Sequence, residues 1–192
     1  MPNHVINKLT ISGTKENVEK LLEAIRNTEE SMLIDFNKIF PMPEELKGTT
    51  SPPRKRDKTL IEKYGTDNWY DWSCTNWGTK WNAYEQTKGE PQTDETGNQT
   101  ETIFFQTAWS TPFPVIRKLS EQFPEVNLHV TFADEDAGHN CGMYSLFDGE
   151  EVDETYLPEG GSSEAMKVYF ELWGGEEDWE IDDNDEYQYK EE

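Results

Sequence analysis

The chain is short of the residues on which several function classes depend. Its two cysteines, Cys74 and Cys141, cannot make a disulfide framework, so a reducing cytoplasm is the expected setting. Its three histidines, His4, His129 and His139, lie in no recognisable catalytic or metal motif. Lysine and arginine total 17 against 40 aspartate and glutamate, a formal net charge of −23. Direct nucleic-acid binding is therefore not expected, because it draws much of its affinity from Lys and Arg neutralising phosphates. No apolar run approaches the roughly 18 residues of a membrane span, and Met1-Pro2-Asn3-His4-Val5 lacks the layout of a signal peptide. No membrane partner is expected.

What the chain does have is length and aromatic content. Its 192 residues can bury a real core. Hydrophobic residues are only 33%, but aromatics reach 12%, including seven Trp. A disordered acidic chain would be poor in aromatics, so this one folds.

The charge is concentrated. Residues 150–192 hold 17 acids against Lys167 and Lys190, a net of −15. Residues 1–149 hold 23 acids against 15 bases, a net of −8. The run from Glu176 to Glu186 reads as a frayed, solvated tail. The expected layout is one α+β domain over 1–174, with a loop insertion near 47–58, and an acidic C-terminal tail over 175–192. The one basic cluster, Arg54-Lys55-Arg56-Asp57-Lys58, reads as a solvated loop.

Patterning gives the elements. His4 to Ile11 alternates Val5, Asn7, Leu9 and Ile11, as a half-buried strand does. Thr14 is a plausible N-cap for a helix in which Val18, Leu21, Leu22 and Ile25 recur at helical spacing. Met32 to Ile39 reads as a second strand or edge segment, stopped by Pro41 and Pro43. Thr59 to Tyr64 reads as helical. Lys80 to Gln86 and Thr100 to Ala108 read as a hairpin across a polar, turn-rich stretch. Pro112 and Pro114 open a helix that buries Val115, Ile116, Leu119 and Phe123. Val126 to Phe132, Gly142 to Phe147 and Met166 to Trp173 read as further strands, the last alternating Met166, Val168, Phe170 and Leu172. This order predicts an α+β fold with a ferredoxin-like, split β-α-β antiparallel sheet and helices on one face, elaborated by insertions.

Little here promises catalysis. No Gly-x-Ser-x-Gly elbow, phosphate loop or dinucleotide fingerprint is present, so no enzyme activity and no cofactor are expected. Asp134-Glu135-Asp136 with His139 and Cys141 lacks zinc spacing, and Ser145 stands where a calcium loop needs its twelfth-position Glu. An acidic turn between strands is the expectation, without metal. The densest constellation is the run from Trp69 to Trp81. Trp69, Asp71, Trp72, Asn76, Trp77, Lys80 and Trp81, joined by Trp109, could line a ligand pocket. The expectation the composition favours is that the indoles fill the core of a domain poor in aliphatics, with neighbouring polar groups pairing their N–H.

Several blocks resemble a known family. The opening Met1-Pro2-Asn3-His4-Val5-Ile6-Asn7-Lys8-Leu9-Thr10-Ile11-Ser12-Gly13 resembles the start of the YubB-like, ferredoxin-like domain proteins carried by phages and plasmids. Phe36 to Leu46, Trp69 to Trp81, Thr107 to Pro112 and the acidic turn before Gly142 are similar to further blocks, in the same order. The family pattern has Pro where Thr111 stands, and the acidic end beyond about residue 174 lies outside it. The resemblance implies a ferredoxin-like core and a mobile-element origin, and it carries no catalytic residue.

The functional expectation is a cytoplasmic accessory protein that binds a host protein with a basic, nucleic-acid-binding surface. Its carriers would be Glu150, Glu151, Asp153, Glu154, Glu176, Glu177, Asp178, Trp179, Glu180, Asp182, Asp183, Asp185 and Glu186. Duplex DNA carries one charge per about 1.7 Å, so the acidic end matches roughly 25 Å of duplex, and phosphate mimicry of an anti-defence type is feasible. The alternative is a small-molecule domain built on the Trp69 to Trp81 cluster.

Overall fold

The structure, a computed structural model, describes residues 2–182 and 186–190. Strand β1 (His4–Thr14) runs straight into helix α1 (Lys15–Ile25), whose first turn is capped when the Thr14 hydroxyl accepts from the Asn17 N–H. Three further helices follow: α2 (Phe36–Ile39), α3 (Lys58–Tyr64) and α4 (Trp69–Asn76). Strands β2 (Tyr84–Lys88), β3 (Gln92–Thr93) and β4 (Asn98–Ala108) come next, then helix α5 (Phe113–Gln122). Strands β5 (Asn127–Asp134), β6 (Cys141–Phe147) and β7 (Glu150–Glu151) lead to helix α6 (Ser163–Trp173). A 3-10 turn (Glu176–Asp178) then enters a small hairpin, β8 (Trp179–Ile181) and β9 (Tyr187–Tyr189).

The main sheet has the order β2-β4-β1-β5-β6-β7, with β3 beside β4. Both β4 and β5 pair antiparallel to β1, so they run parallel to each other with β1 between them. Helix α5 connects them. This is the split β-α-β unit of a ferredoxin-like fold.

Strand alternation decides which face each side chain serves. Val5, Leu9 and Ile11 of β1, Leu128 and Val130 of β5, and Leu146 of β6 point to one face, here called the inner face, where they are essentially fully buried. Helices α1, α2 and α5 cover it with Val18, Leu21, Ile25, Phe36, Ile39, Val115, Ile116 and Leu119. Ala133, Cys141 and Met143 point to the outer face, where Ala165, Val168, Leu172 and Trp173 of α6 cover them.

Three expectations are corrected. Residues 32–39 are not a strand. Asp35 caps α2 by accepting from the Asn37 N–H, while Met32 only bridges back to Asn27. Residues 166–173 are not a strand either. Ser162 caps α6 by accepting from the Ala165 N–H, and the helix is apolar around a wide arc. It packs the sheet on one side and the hairpin on the other, which explains the misleading alternation. Finally, because α6 lies on the outer face, the helices do not all share one face.

Candidate functional site

The Trp-rich run divides into core and surface because most of it is helical. Asn68 accepts from the Asp71 N–H and starts α4, which turns Trp72 inward. Trp72 and Trp77 are buried against each other edge to face at 5.6 Å, and Trp77 meets Phe36 at 5.7 Å. The Trp77 N–H donates to the Phe40 carbonyl at 2.8 Å, so its polar edge is satisfied. Trp69 is half-buried against this core. The Asp71 carboxylate accepts from Asn68 at 2.8 Å, and the Asn76 amide donates to the Trp72 carbonyl at 2.9 Å. Trp69, Asp71, Trp72, Asn76 and Trp77 therefore build and cap the helix, and do not line a pocket with Lys80, Trp81 and Trp109.

Those last three, with Tyr70, form a surface cluster in which the two indoles are exposed and Tyr70 and Lys80 are half-buried. Trp81 and Trp109 are 37% and 40% exposed. Tyr70 stands edge-on to Trp109 at 6.0 Å, and Trp81 stands edge-on to Tyr84 at 6.2 Å. The Lys80 ammonium lies 4.6 Å from the Trp81 ring, 5.2 Å from Trp109 and 5.9 Å from Tyr70. The loop that carries Lys80 turns at Gly78, where φ is +74° and a Cβ would sit 2.8 Å from Pro114 Cδ. Only glycine fits there. The loop is tied to β4 by Thr79, whose hydroxyl donates to the Ala108 carbonyl at 2.7 Å, and by Ser110, whose hydroxyl donates to the Gly78 carbonyl.

Trp109 itself has φ of +74°, a left-handed conformation that a bulky residue seldom adopts. Its N–H donates to the Asn3 carbonyl at 3.0 Å, and its carbonyl accepts from the Asn140 amide at 2.8 Å. Tyr84 and His4 extend the cluster, with the Tyr84 hydroxyl 2.7 Å from His4 Nδ1 and donating to the Thr107 carbonyl. Burial first, then the charges of Glu135 and Glu85, push the Tyr84 phenol up to about 12. Tyr70, Tyr84 and His4 join the cluster without a sequence signal that singles them out, although Tyr70 lies inside the same run.

The acidic turn after β5 is organised by one buried carboxylate. Asp134 accepts from the Asn3 amide, the Asp136 N–H and the Asn140 amide, all within 3.0 Å. Among the described residues, no group of three or more His, Cys, Asp or Glu side chains could hold a metal ion. Both cysteines are free, and burial pushes both thiols above their ordinary value.

On the outer face the His129 imidazole Nδ1 lies 2.9 Å from the Ser145 hydroxyl, directly across β5 and β6. A serine beside a histidine is the raw material of a nucleophile and its base. Here the other imidazole nitrogen faces the Thr131 hydroxyl at 3.4 Å instead of an orienting carboxylate. Burial, then Lys8, hold this histidine below its ordinary value.

The acidic end is folded where it is described. Trp179 and Tyr187 pack on Phe170 of α6 at 6.0 and 5.1 Å, and Tyr189 packs on Trp179 at 5.5 Å. The Lys190 N–H donates to the Asp178 carbonyl at 2.9 Å and its ammonium to the Glu177 carbonyl. The frayed tail expected from charge density alone is thus a hairpin seated on aromatic rings. Glu176, Glu177, Asp178, Glu180 and Glu186 are exposed, and Asp182 is half-buried with its carboxylate accepting from the Glu186 N–H. Glu150 and Glu151 form β7 at the sheet edge, and Asp153 and Glu154 follow it exposed. Asp183 and Asp185 lie outside the described residues. The basic cluster is tied down too, with Arg56 pairing to the buried Asp67 at 3.1 Å and Asp57 capping α3.

Residues 76–179 match the family described as the ferredoxin-like domain in Api92-like protein. The matched span runs from the end of α4 into β8, while β1, the strand at the centre of the split unit, lies before it. No curated protein matches. Among solved structures, the chain is similar to the crystal structure of protein api92 from Yersinia pseudotuberculosis, at 17% identity and a TM-score of 0.45. The similarity covers 66% of this chain and 40% of that one, so the chain spans less than half of that protein. Among the described residues, no helix is long and apolar enough to cross a membrane.

Proposed function

The chain belongs to the Api92-like family with a ferredoxin-like domain, and we propose that it is a binding protein whose acidic face engages a basic partner. In this reading it is a mobile-element accessory protein, carried by a phage or plasmid and acting in the host cytoplasm. Its partner is a host protein with a nucleic-acid-binding groove, of the kind that defence enzymes use. The block-by-block resemblance supports the origin, and the charge distribution supports the partner class.

One observation carries the reading. The described part of the acidic run, residues 176–182 and 186, is held by the β8 and β9 hairpin, which Trp179 and Tyr187 anchor to α6. Carboxylates on ordered backbone lose less freedom on binding than carboxylates on a loose tail. They also present a fixed array, which steers encounter with a positive groove.

The test uses the full chain as bait in host lysate, beside a variant carrying Glu176→Gln, Glu177→Gln, Asp178→Asn and Glu180→Gln. Truncation after Trp173 is a poorer control, because it also uncovers Phe170. The reading expects one nucleic-acid-binding protein on the native bait, released by duplex DNA and by high salt, and missing from the variant. Capture of nothing, or of a partner that the variant retains and DNA does not displace, would contradict it.

A further inference from the structure

We propose that Tyr70, Trp81 and Trp109 form a cation cage, occupied in the free protein by Lys80, which an arginine or lysine side chain of a partner enters in its place. This goes beyond the acidic face and shares no residue with it.

The ring geometry is that of a host. Three aromatic faces surround one ammonium, all with centroids inside the roughly 6 Å over which a ring quadrupole attracts a cation. In a chain with 40 acids, the Lys80 ammonium makes no ion pair among the described residues. The rings are its company.

The walls stand without their occupant. Trp109 is fixed through its backbone by Asn3 and Asn140, in a conformation that costs energy and that displays the indole outward. Trp81 leans on Tyr84, which is pinned by Thr107 and His4. Tyr70 leans on Trp69 and Trp109. None of these supports runs through the Lys80 side chain, and both indoles remain well exposed. Removing the Lys80 side chain therefore leaves a preorganised, open cage.

Charge decides what enters. The exposed Asp71, beside Tyr70 in the chain, and the exposed Glu85, beside Tyr84, put negative charge near the rings, and Glu135 also acts on Tyr84. That negative flank attracts a cation and repels phosphate. A guanidinium or ammonium group on a flexible partner side chain fits both the rings and the field. Lys80, itself a long flexible stem, can swing out as the guest swings in.

The test is a titration of the full chain with tetramethylammonium chloride, read by the indole N–H resonances of Trp81 and Trp109. Sodium chloride at matched ionic strength serves as the blank, and adenosine monophosphate as an anionic probe. The expected result is a saturable shift of both indoles, about 10-fold tighter in Lys80→Ala because a competing cation of this class has gone. Trp109→Ala should abolish the Trp81 shift. Acetyl-argininamide should reproduce the tetramethylammonium pattern. If Lys80→Ala does not fold, Lys80→Gln gives the same comparison, because it keeps the stem and drops the charge. Shifts no larger than the sodium blank, equal affinity with and without Lys80, or a response to adenosine monophosphate alone would each overturn the proposal.

Discussion

The two faces of the sheet are built differently. The inner face is closed by branched aliphatics and by Phe and Trp rings meeting edge to face, and its central side chains are wholly buried. The outer face is closed by smaller groups, Ala133, Cys141, Ala165 and Val168, and then by aromatic rings that hold an acidic hairpin. Most of the apolar burial that stabilises the fold lies on the inner face. The acidic hairpin sits over the outer face. A domain arranged in this way can present dense negative charge because its stability is generated elsewhere.

Mutations can break or sharpen this contrast. The largest effect is expected from Phe105→Ala on the inner face, where ring packing with Phe36 is lost. It should cost about 3–5 kcal/mol, read as a lower denaturant midpoint at unchanged slope. Trp179→Ala on the outer face should cost about 1–2 kcal/mol, because that indole is only half-buried. Parity between the two would erase the distinction. Ser162→Ala should cost about 1 kcal/mol by uncapping α6, again as a lower midpoint.

A smaller effect comes from pH. Burial and Lys8 hold His129 below its ordinary value of 6.5, so the folded state takes up its proton less readily than the unfolded chain. Its contribution is present above that value and is lost as pH falls below it. Unfolding midpoints measured at about pH 7.5 and 5.5 should therefore differ less in His129→Gln than in the native chain. Asp35 acts lower still. Burial works to raise its carboxyl, but hydrogen bonds from Asn27, Asn82 and Asn37 outweigh that and hold it below 3.8, so its contribution is lost in stronger acid. The smallest effect belongs to the quadruple neutralisation of Glu176, Glu177, Asp178 and Glu180, which should move stability by no more than about 0.5 kcal/mol.

The inner face was the legible part of the sequence. One-sided strands and helices show their period, as β1, α1, α5 and β5 do. The outer face hid itself. Helix α6 is buried on two sides, so Met166, Val168, Phe170 and Leu172 are all apolar and mimic a strand. The short α2 was masked because Leu33, Ile34, Phe36 and Ile39 reach the core from a capped turn. The acidic end carries no folding signal because its anchors, Trp179, Tyr187 and Tyr189, are sparse and pack on a helix whose own pattern mimics a strand. The Trp69 to Trp81 run was visible as a cluster, but its division needed α4. Helical geometry turns Trp72 inward, and the Gly78 loop carries Lys80 and Trp81 out to meet Trp109.

The most direct measurement is amide hydrogen exchange along 179–190 in the full chain, at low and at high salt. A folded acidic platform predicts slowed exchange at the Asp182 and Lys190 amides, which donate across the hairpin, and faster exchange there in Trp179→Ala. Exchange at the rate of an unstructured chain, unchanged by that substitution, would mean that the acidic end is a loose tail and that the outer face ends at α6.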